Sequence, residues 1–342
     1  MSPETIGPYR ILEPLREGGV SSVYKAAGPT GAVVALKVFS PQVIGAGVDG
    51  REAASGRAAA AGPAHPETAP PAPPTADVPE IVARFHRELR AVAALAHPNV
   101  LQVLGTGQDG DYLYLATELF AGVSLERLLR ARRLTIPQSI AVMRGICRGL
   151  AYSHSRGFVH GHLSPRHVLV APDLATVKVA DFGPSEIDVV SELDSTLRTG
   201  AYALGSMHYL APEQLARRNA PPDPRSDLYA AGALFVEMLT GRPPSGKFTL
   251  PSHANAELPP STDVLVLKCL ARDPAERYAS ATALLADLDR LEEALRVRLI
   301  SHLRGISRLL GAPGSTRRTL LLAGLALLLV ALAVAGYFLA AR

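Results

Sequence analysis

The sequence contains no Trp, and aromatic residues make up only 5% of it. Ala, Leu and Val must therefore build much of the core of any folded domain. The chain has only two cysteines, Cys147 and Cys269, which lie far apart in apolar, helix-like stretches. We therefore expect two reduced core residues and no disulfide framework or cysteine zinc site. No run of Lys and Arg with interleaved aromatic residues occurs, which argues against nucleic-acid binding.

Charge is absent from Thr319 to Ala341, where Leu, Ala and Val dominate. An α-helix of this length measures about 30 Å or slightly more, which is enough to cross the hydrocarbon core of a bilayer. A buried C-terminal helix of a soluble domain is the alternative, and it is disfavoured because such a helix normally keeps a polar face. Residues 319–341 are thus predicted to form a transmembrane helix in contact with the lipid bilayer.

Basic residues flank this predicted span mainly on its N-terminal side. They are Arg296, Arg298, Arg304, Arg308, Arg317 and Arg318, against Arg342 alone on the other side. The positive-inside rule then predicts a single-pass protein of the cell membrane whose N-terminal part is cytoplasmic, with no extracytoplasmic sensor domain expected. The N-terminus lacks a basic and apolar signal region. The basic juxtamembrane segment, residues 292–318, either lies on the anionic inner leaflet or extends the last helix of the preceding domain.

The secondary-structure pattern changes along the chain from strands to helices. Strands are predicted at residues 20–27, 32–39, 100–104 and 112–117, and an amphipathic helix at 84–96. An Ala- and Pro-rich stretch, residues 41–79, is predicted to be a disordered insertion because it cannot bury enough apolar surface. Later segments are predicted helices, at residues 125–130, 137–156, 212–216, 226–239, 262–271 and 279–299. Strands followed by helices indicate an α+β fold with two lobes.

Several short motifs occur in a fixed order along this pattern. They are the glycine-containing hairpin Glu17–Tyr24, Val34-Ala35-Leu36-Lys37, Glu88 on the first helix, Asp181-Phe182-Gly183 and Ala211-Pro212-Glu213. Together they resemble the motifs of bacterial, eukaryotic-like serine/threonine protein kinases. The resemblance covers residues 9–291 outside the insertion, and leaves residues 1–8 as an N-terminal tail. It implies a two-lobed kinase fold with a small β-rich N-lobe and a larger helical C-lobe.

The resemblance also implies a site for ATP and Mg²⁺. Gly18 and Gly19 would lie in the loop that covers the phosphates, although Arg16 and Ser21 replace its other two glycines. Lys37 would contact the phosphates and be held by Glu88. The remaining nucleotide-binding positions are Val23, Ala35 and the hinge residues Thr117, Glu118 and Phe120.

The Asp181 carboxylate matches the family's magnesium ligand, because a hard oxygen suits Mg²⁺ bridging two phosphates. Other matching positions have structural roles. Arg277 would pair with Glu213, and Asp227 and Gly232 match the central helix of the large lobe. These positions indicate a well-formed kinase core and do not bear on activity.

The catalytic loop departs from the family pattern H-R-D-x-K-P-x-N, since it has the sequence His160-Gly161-His162-Leu163-Ser164-Pro165-Arg166-His167. His162 replaces the aspartate that accepts the substrate proton, and Ser164 replaces the lysine that neutralises the transferred phosphoryl group. His167 replaces the asparagine that holds the second metal, and neutral imidazole is a poor Mg²⁺ ligand. Gly161 replaces the arginine that would respond to activation-loop phosphorylation.

Three interpretations follow from this half-preserved site. The favoured ones are a pseudokinase that holds nucleotide and a structural membrane adaptor that does not, each acting through protein signalling partners. The third is a weakly active serine/threonine kinase that uses His162 as its base, since an imidazole of ordinary pKa accepts a proton at neutral pH. Loss of several electrostatic groups together favours impaired phosphotransfer.

Overall fold

The computed structural model describes residues 4–17, 21–39, 78–183, 207–216, 223–246 and 248–310. The chain divides into two compact units, Met1–Leu288 and Asp289–Arg342. Three sequence predictions fall wholly or largely outside the described residues. They concern the glycines Gly18 and Gly19, the insertion at 41–79 up to residue 77, and the membrane span at 319–341.

The N-terminal part of the first unit contains a six-stranded antiparallel sheet with the order β1-β2-β3-β4-β6-β5. Its strands are β1 (Thr5–Ile6), β2 (Tyr9–Arg16), β3 (Ser21–Ala27), β4 (Val33–Phe39), β5 (Val103–Asp109) and β6 (Tyr112–Glu118). Side chains alternate across β4, so Val34, Leu36 and Val38 are buried in the core of the lobe. Ala35 and Lys37 consequently lie on the opposite face of the sheet.

Strand β1 lies inside residues 1–8, which the sequence predicts to be a tail. Thr5 and Ile6 pair with Arg10 and Tyr9 of β2, respectively. The Ile6 side chain is only 1% exposed and belongs to the apolar core of the sheet. Burial of this one large side chain therefore ties the N-terminus to the lobe.

The helix after the insertion, α1, spans Val78–Val92 and is followed directly by a turn. It begins six residues before the predicted start at Arg84, two residues inside the predicted insertion, and it ends four residues before the predicted end at Ala96. The early end has a local cause, because Leu95 N donates to Val92 O, a three-residue spacing that tightens the last turn.

Helices form the larger lobe. They are α2 (Leu125–Ala131), α3 (Ile136–Ser155), α4 (Pro212–Ala216), α5 (Pro224–Thr240), α6 (Pro251–Ala254), α7 (Pro260–Cys269) and α8 (Ala281–Leu310). All except α6 were predicted, with boundaries within about two residues apart from the end of α8. Helix α3 begins with a capping box between Thr135 and Gln138, which satisfies free N–H groups of its first turn.

The last helix, α8, continues to Leu310, beyond the predicted end at Leu299. No proline occurs after its start before Pro313, so nothing in the sequence breaks the helix sooner. Within the described part of the chain, no helix is both long and apolar enough to cross a membrane. The two cysteines are free and buried, as predicted from their apolar surroundings.

A small three-stranded sheet holds the segments that carry the site. Its strands are β7 (Val123–Ser124), β8 (Val168–Val170) and β9 (Val177–Val179), and β8 pairs with both others. A short 3-10 turn, Pro165–His167, leads directly into β8. Because β8 and β9 form a hairpin, the catalytic loop before β8 and Asp181 after β9 emerge at the same end of the sheet.

Candidate nucleotide and phosphotransfer site

The central strand β4 brings the nucleotide-binding candidates of the small lobe together. Lys37 lies opposite Val23 of β3, and Ala35 lies opposite Thr117 of β6. The pairing register is therefore sufficient to place these side chains around one strand. Glycines 18 and 19, which precede β3, lie outside the described residues.

The predicted hinge begins at the end of β6. Thr117 is buried, and its hydroxyl donates to the carbonyl oxygen of Glu118 at 3.3 Å. The Glu118 carboxylate forms an ion pair with Lys178 of β9 at 2.7 Å. The hinge is thus tied to the hairpin that carries Asp181, a contact that the sequence did not predict. Phe120 follows as a half-buried residue.

An ion pair crosses the cleft between Lys37 and Asp181, with 3.1 Å between Nζ and Oδ1. Burial raises the pKa of the Asp181 carboxyl, but the charge and hydrogen bond of Lys37, together with His167 and His162, outweigh it, so this pKa lies well below its usual range. Asp181 has a φ of +61°, a conformation that few residues with a side chain adopt. A strained backbone at this point is typical of a functional position.

Glu88, the predicted partner of Lys37, lies on α1 next to the buried Leu89. A Cβ built on Gly183 would stand 3.2 Å from Leu89 Cδ2, so this part of α1 lies against the segment that follows Asp181. The ion pair between Glu88 and Lys37 stays a prediction.

The backbone of the catalytic loop is held by the buried carboxylate of Asp227 on α5. Asp227 accepts hydrogen bonds from His160 N at 2.8 Å and from Gly161 N at 2.7 Å. It also accepts from Nε2 of His154 at 2.8 Å. Gly161 has a φ of +77°, which glycine adopts without steric cost. The shape of the loop therefore depends on backbone groups.

Three histidines of the loop come into contact with one another. The ring centroids of His160 and His162 are 4.5 Å apart, and those of His162 and His167 are 4.9 Å apart. His160 also contacts the ring of Phe182 at 4.9 Å. The sequence predicts no contact among these residues, and the only signal for the cluster is their close spacing along the loop.

Burial keeps all three imidazoles neutral at pH 7. Desolvation, followed by the neighbouring His167, lowers the pKa of His162 to about 3. Desolvation also lowers the pKa of His160 and of His167 to about 4 each. The expectation that His162 has an ordinary imidazole pKa is therefore wrong. An acceptor with such a low pKa gives little driving force for removing a hydroxyl proton.

The family resemblance implies two magnesium-binding positions, Asp181 and His167. The residue present suits magnesium at the first position and not at the second. Asp181 offers an ionised carboxylate, the hard oxygen donor that Mg²⁺ prefers. At the second position, Nδ1 of His167 faces the carbonyl oxygen of His162 at 2.9 Å and Ser164 Oγ at 3.3 Å. The imidazole supplies no hard oxygen there.

The end of the activation segment is anchored by the predicted ion pair. Nη1 of Arg277 lies 2.7 Å from Oε1 of Glu213, and Nη2 lies 2.7 Å from Oε2. The Arg277 side chain is fully buried, and its Nη1 also donates to the carbonyl oxygen of Arg225. Gln214, beside Glu213, donates to the carbonyl oxygen of Gly161. The activation segment and the catalytic loop are thereby joined.

Comparison with known proteins agrees with this architecture. A family model described as protein kinase domain matches residues 75–288. The kinase domain of PknI from Mycobacterium tuberculosis superposes with a TM-score of 0.61 at 22% sequence identity, covering 84% of this chain and 97% of that structure. At that level of identity the likeness concerns the fold alone.

Curated relatives share more of the sequence. The serine/threonine-protein kinase PknL of Mycobacterium tuberculosis is 37% identical over 231 residues, which cover 63% of this chain and 56% of PknL. PrkC of Bacillus subtilis is 32% identical over 236 residues, covering 63% of this chain and 35% of PrkC. The chain thus spans about half the length of the first relative and about a third of the second.

Proposed function

Because this chain belongs to the protein kinase family, among its bacterial eukaryotic-like serine/threonine members, we propose that it is a catalytically impaired kinase that binds nucleotide and regulates or scaffolds other proteins. Its partners are then signalling proteins. This role needs a kinase fold with an occupied cleft but does not need phosphotransfer.

The observation that carries this proposal is the chemistry of the catalytic loop. His162, Ser164 and His167 stand where the family has a carboxylate, an ammonium and an amide. Two are imidazoles whose pKa values lie far below neutrality, and the third is a short hydroxyl. None of them adds charge at pH 7. Phosphoryl transfer depends mainly on such charges, and loss of one electrostatic group costs roughly 10²-fold in rate.

Retention of nucleotide is supported by the ion pair that crosses the cleft. The ion pair of Lys37 and Asp181 supplies a cation for the phosphates and an oxygen ligand for one magnesium ion. A magnesium ion at this position would supply positive charge that offsets the charge of the phosphates. Asp181 would hold this ion, and Lys37 would contact the phosphates directly.

The test measures binding and transfer separately on the full chain in detergent. We expect Mg-ATP to raise the melting temperature, and we expect labelled γ-phosphate to remain on ATP in the presence of a generic protein substrate. The Lys37→Ala variant should lose the thermal shift. Transfer that disappears in the Lys37→Ala variant would refute the impaired-kinase proposal, and absence of any thermal shift in the wild type would refute nucleotide binding.

A weakly active serine/threonine kinase is the second candidate. It is favoured by the unprotonated state of His162, which leaves a ring nitrogen able to accept a proton at pH 7. Its signature would be slow transfer that depends on Lys37 and falls further in His162→Ala. Transfer unaffected by His162→Ala would exclude this role for the imidazole.

Membrane anchoring is also part of the proposal. Support comes from the sequence alone, since residues 319–341 carry no charge and arginines precede them. The full chain should remain in the membrane pellet after alkaline carbonate extraction, and the kinase domain should be digested by protease only from the cytoplasmic side. Release by carbonate, with no detergent, would contradict the anchor.

A further inference from the structure

The histidine cluster of the catalytic loop differs in chemistry from the magnesium site that the family resemblance implies. Among the described residues, His160, His162 and His167 form the one group of three or more His, Cys, Asp or Glu side chains whose ligand atoms gather closely, all within 4.8 Å of one another. We propose that these three imidazoles bind a transition-metal ion of the Zn²⁺ type. The site does not depend on the nucleotide binding proposed above.

The hydrogen bonds of His167 leave one ring nitrogen ready for a metal. Its Nδ1 lies 2.9 Å from the carbonyl oxygen of His162, and a carbonyl can only accept. Nδ1 therefore carries the proton, and Nε2 carries the free lone pair. A ring nitrogen bonded to a backbone carbonyl is the usual support for a metal-binding histidine, because it fixes the tautomer and the ring orientation.

His160 is held in the same way with the two nitrogens exchanged. Its Nε2 lies 2.9 Å from the carbonyl oxygen of Ala180, so Nε2 is the protonated atom. Its Nδ1 has only a long contact of 3.4 Å with the backbone N of His162. A metal would replace that weak contact at little cost. Two of the three rings thus have their tautomer and orientation fixed by backbone carbonyls, and each keeps one unprotonated nitrogen.

The third ring and the local charge complete the site. His162 lies between the other two, with ring centroids 4.5 Å from His160 and 4.9 Å from His167. The ionised carboxylate of Asp181 favours a cation beside His162 and His167, and the ammonium of Lys37 opposes it more weakly. Asp181 or a water molecule would supply the fourth ligand of a tetrahedral ion.

Ligand chemistry selects the kind of metal. Imidazole suits Zn²⁺, Cu²⁺ and Ni²⁺, whereas Mg²⁺ prefers oxygen ligands in octahedral geometry. In a tetrahedral zinc site with bonds of about 2.0 Å, ligand nitrogens are about 3.3 Å apart. The ligand nitrogens now lie up to 4.8 Å apart, so each ring must turn inward and move its nitrogen by about an ångström to reach that separation.

The experiment titrates the full chain in detergent with Zn²⁺ against a chromophoric chelator, without nucleotide and with Mg²⁺ in excess. We expect one Zn²⁺ per chain and a rise in melting temperature that Mg²⁺ alone does not give. His162→Ala and His167→Asn should each weaken zinc binding at least about tenfold. His253→Ala, which removes an exposed histidine from α6, is the matched control and should leave it unchanged.

Two results would overturn the site. One is zinc affinity that is the same in His162→Ala, His167→Asn and the wild type; the other is the absence of saturable binding in the wild type. If the variants do not fold, X-ray absorption of the zinc-loaded wild type decides. Three imidazole ligands support the proposal, and two or fewer refute it. Since no nucleotide is present, either outcome leaves the test of ATP binding unaffected.

Discussion

Nζ of Lys37 lies 3.1 Å from Oδ1 of Asp181, joining the central strand of the small lobe to the segment after β9. The Lys37 side chain is 11% exposed and that of Asp181 is 29% exposed, so the cation is the more deeply buried partner. Such a pair would offer a cation to a phosphate on one side and an oxygen ligand to a metal on the other. It also gives the two lobes a direct electrostatic link.

Replacing Lys37 by Ala should raise the dissociation constant for Mg-ATP at least about tenfold, because a hydrogen bond to a charged group contributes about 1.5–3 kcal/mol. Fluorescent-nucleotide titration of the full chain measures this. Lys268→Ala is the control, since Lys268 is an exposed lysine on helix α7 of the large lobe. Equal weakening in both variants would mean that the loss of binding is not specific to the Lys37 ammonium.

Restoring the family residues in the catalytic loop should restore phosphotransfer. We expect the triple variant His162→Asp, Ser164→Lys, His167→Asn to transfer γ-phosphate at least about 10²-fold faster than the wild type, with much smaller gains from each single change. The three groups act together on one transition state, which explains the non-additivity. The rate of labelled phosphate incorporation measures it.

The same triple variant carrying Lys37→Ala is the control and should be inactive. If the triple variant is folded, binds Mg-ATP and still transfers no phosphate, then the catalytic loop is not what limits this kinase domain.

The ion pair of Glu213 and Arg277 should make stability depend on pH. Burial raises the pKa of Glu213, but the hydrogen bonds and charge of Arg277, together with hydrogen bonds from Ser226 and from the backbone, outweigh it, and the net pKa is lowered. A lowered carboxyl pKa stabilises the folded state above the unfolded value of about 4.5, and this stabilisation is lost as the pH falls. Glu213→Gln should therefore cost about 2 kcal/mol at pH 7 and progressively less below pH 4.5.

Urea unfolding at pH 7 and at pH 4 gives both free energies of unfolding. Glu257→Gln changes an exposed glutamate and serves as the control, with little effect expected at either pH. A penalty for Glu213→Gln that is equally large in acid would show that shape, and not charge, matters at this pair.

Gly232 on α5 is predicted to tolerate no side chain, since an added Cβ would collide with Cβ of Cys269 at the end of α7. Gly232→Ala should therefore destabilise the domain by roughly 1–3 kcal/mol, even though alanine favours helix. Gly28→Ala, where the nearest atom would stand at an ordinary 3.4 Å, is the control. Thermal unfolding compares them, and equal melting temperatures would disprove the close approach of the two helices.

The fold could be predicted from the sequence because the kinase motifs lie on strands and helices whose apolar residues recur at regular spacing. The residue types of β4 are consistent with its alternating burial, and Thr135 followed by Gln138 is a residue pair typical of a capping box. Strand β1 was missed because two residues are too few for a periodic signal. The end of α1 was missed because the tightened turn after Val92 precedes any proline.

The candidate site was predicted only as separate positions. Lys37 and Asp181 were each identified by motif, but their contact is a product of the folded cleft. The low pKa of His162 could not be predicted, because it results from burial and from the neighbouring His167. The bond between Lys178 and Glu118 joins residues that are far apart in the chain, and no local pattern marks it.

The clamp of Asp227 on the backbone of the catalytic loop has an evolutionary consequence. Asp227 binds the N–H groups of His160 and Gly161, which every residue except proline possesses. The side chains at positions 162, 164 and 167 therefore carry no part of this attachment. Mutations at these positions can change the chemistry of the loop without breaking its attachment to Asp227, and a kinase lineage can thus lose its original reaction and acquire another use for the same cleft.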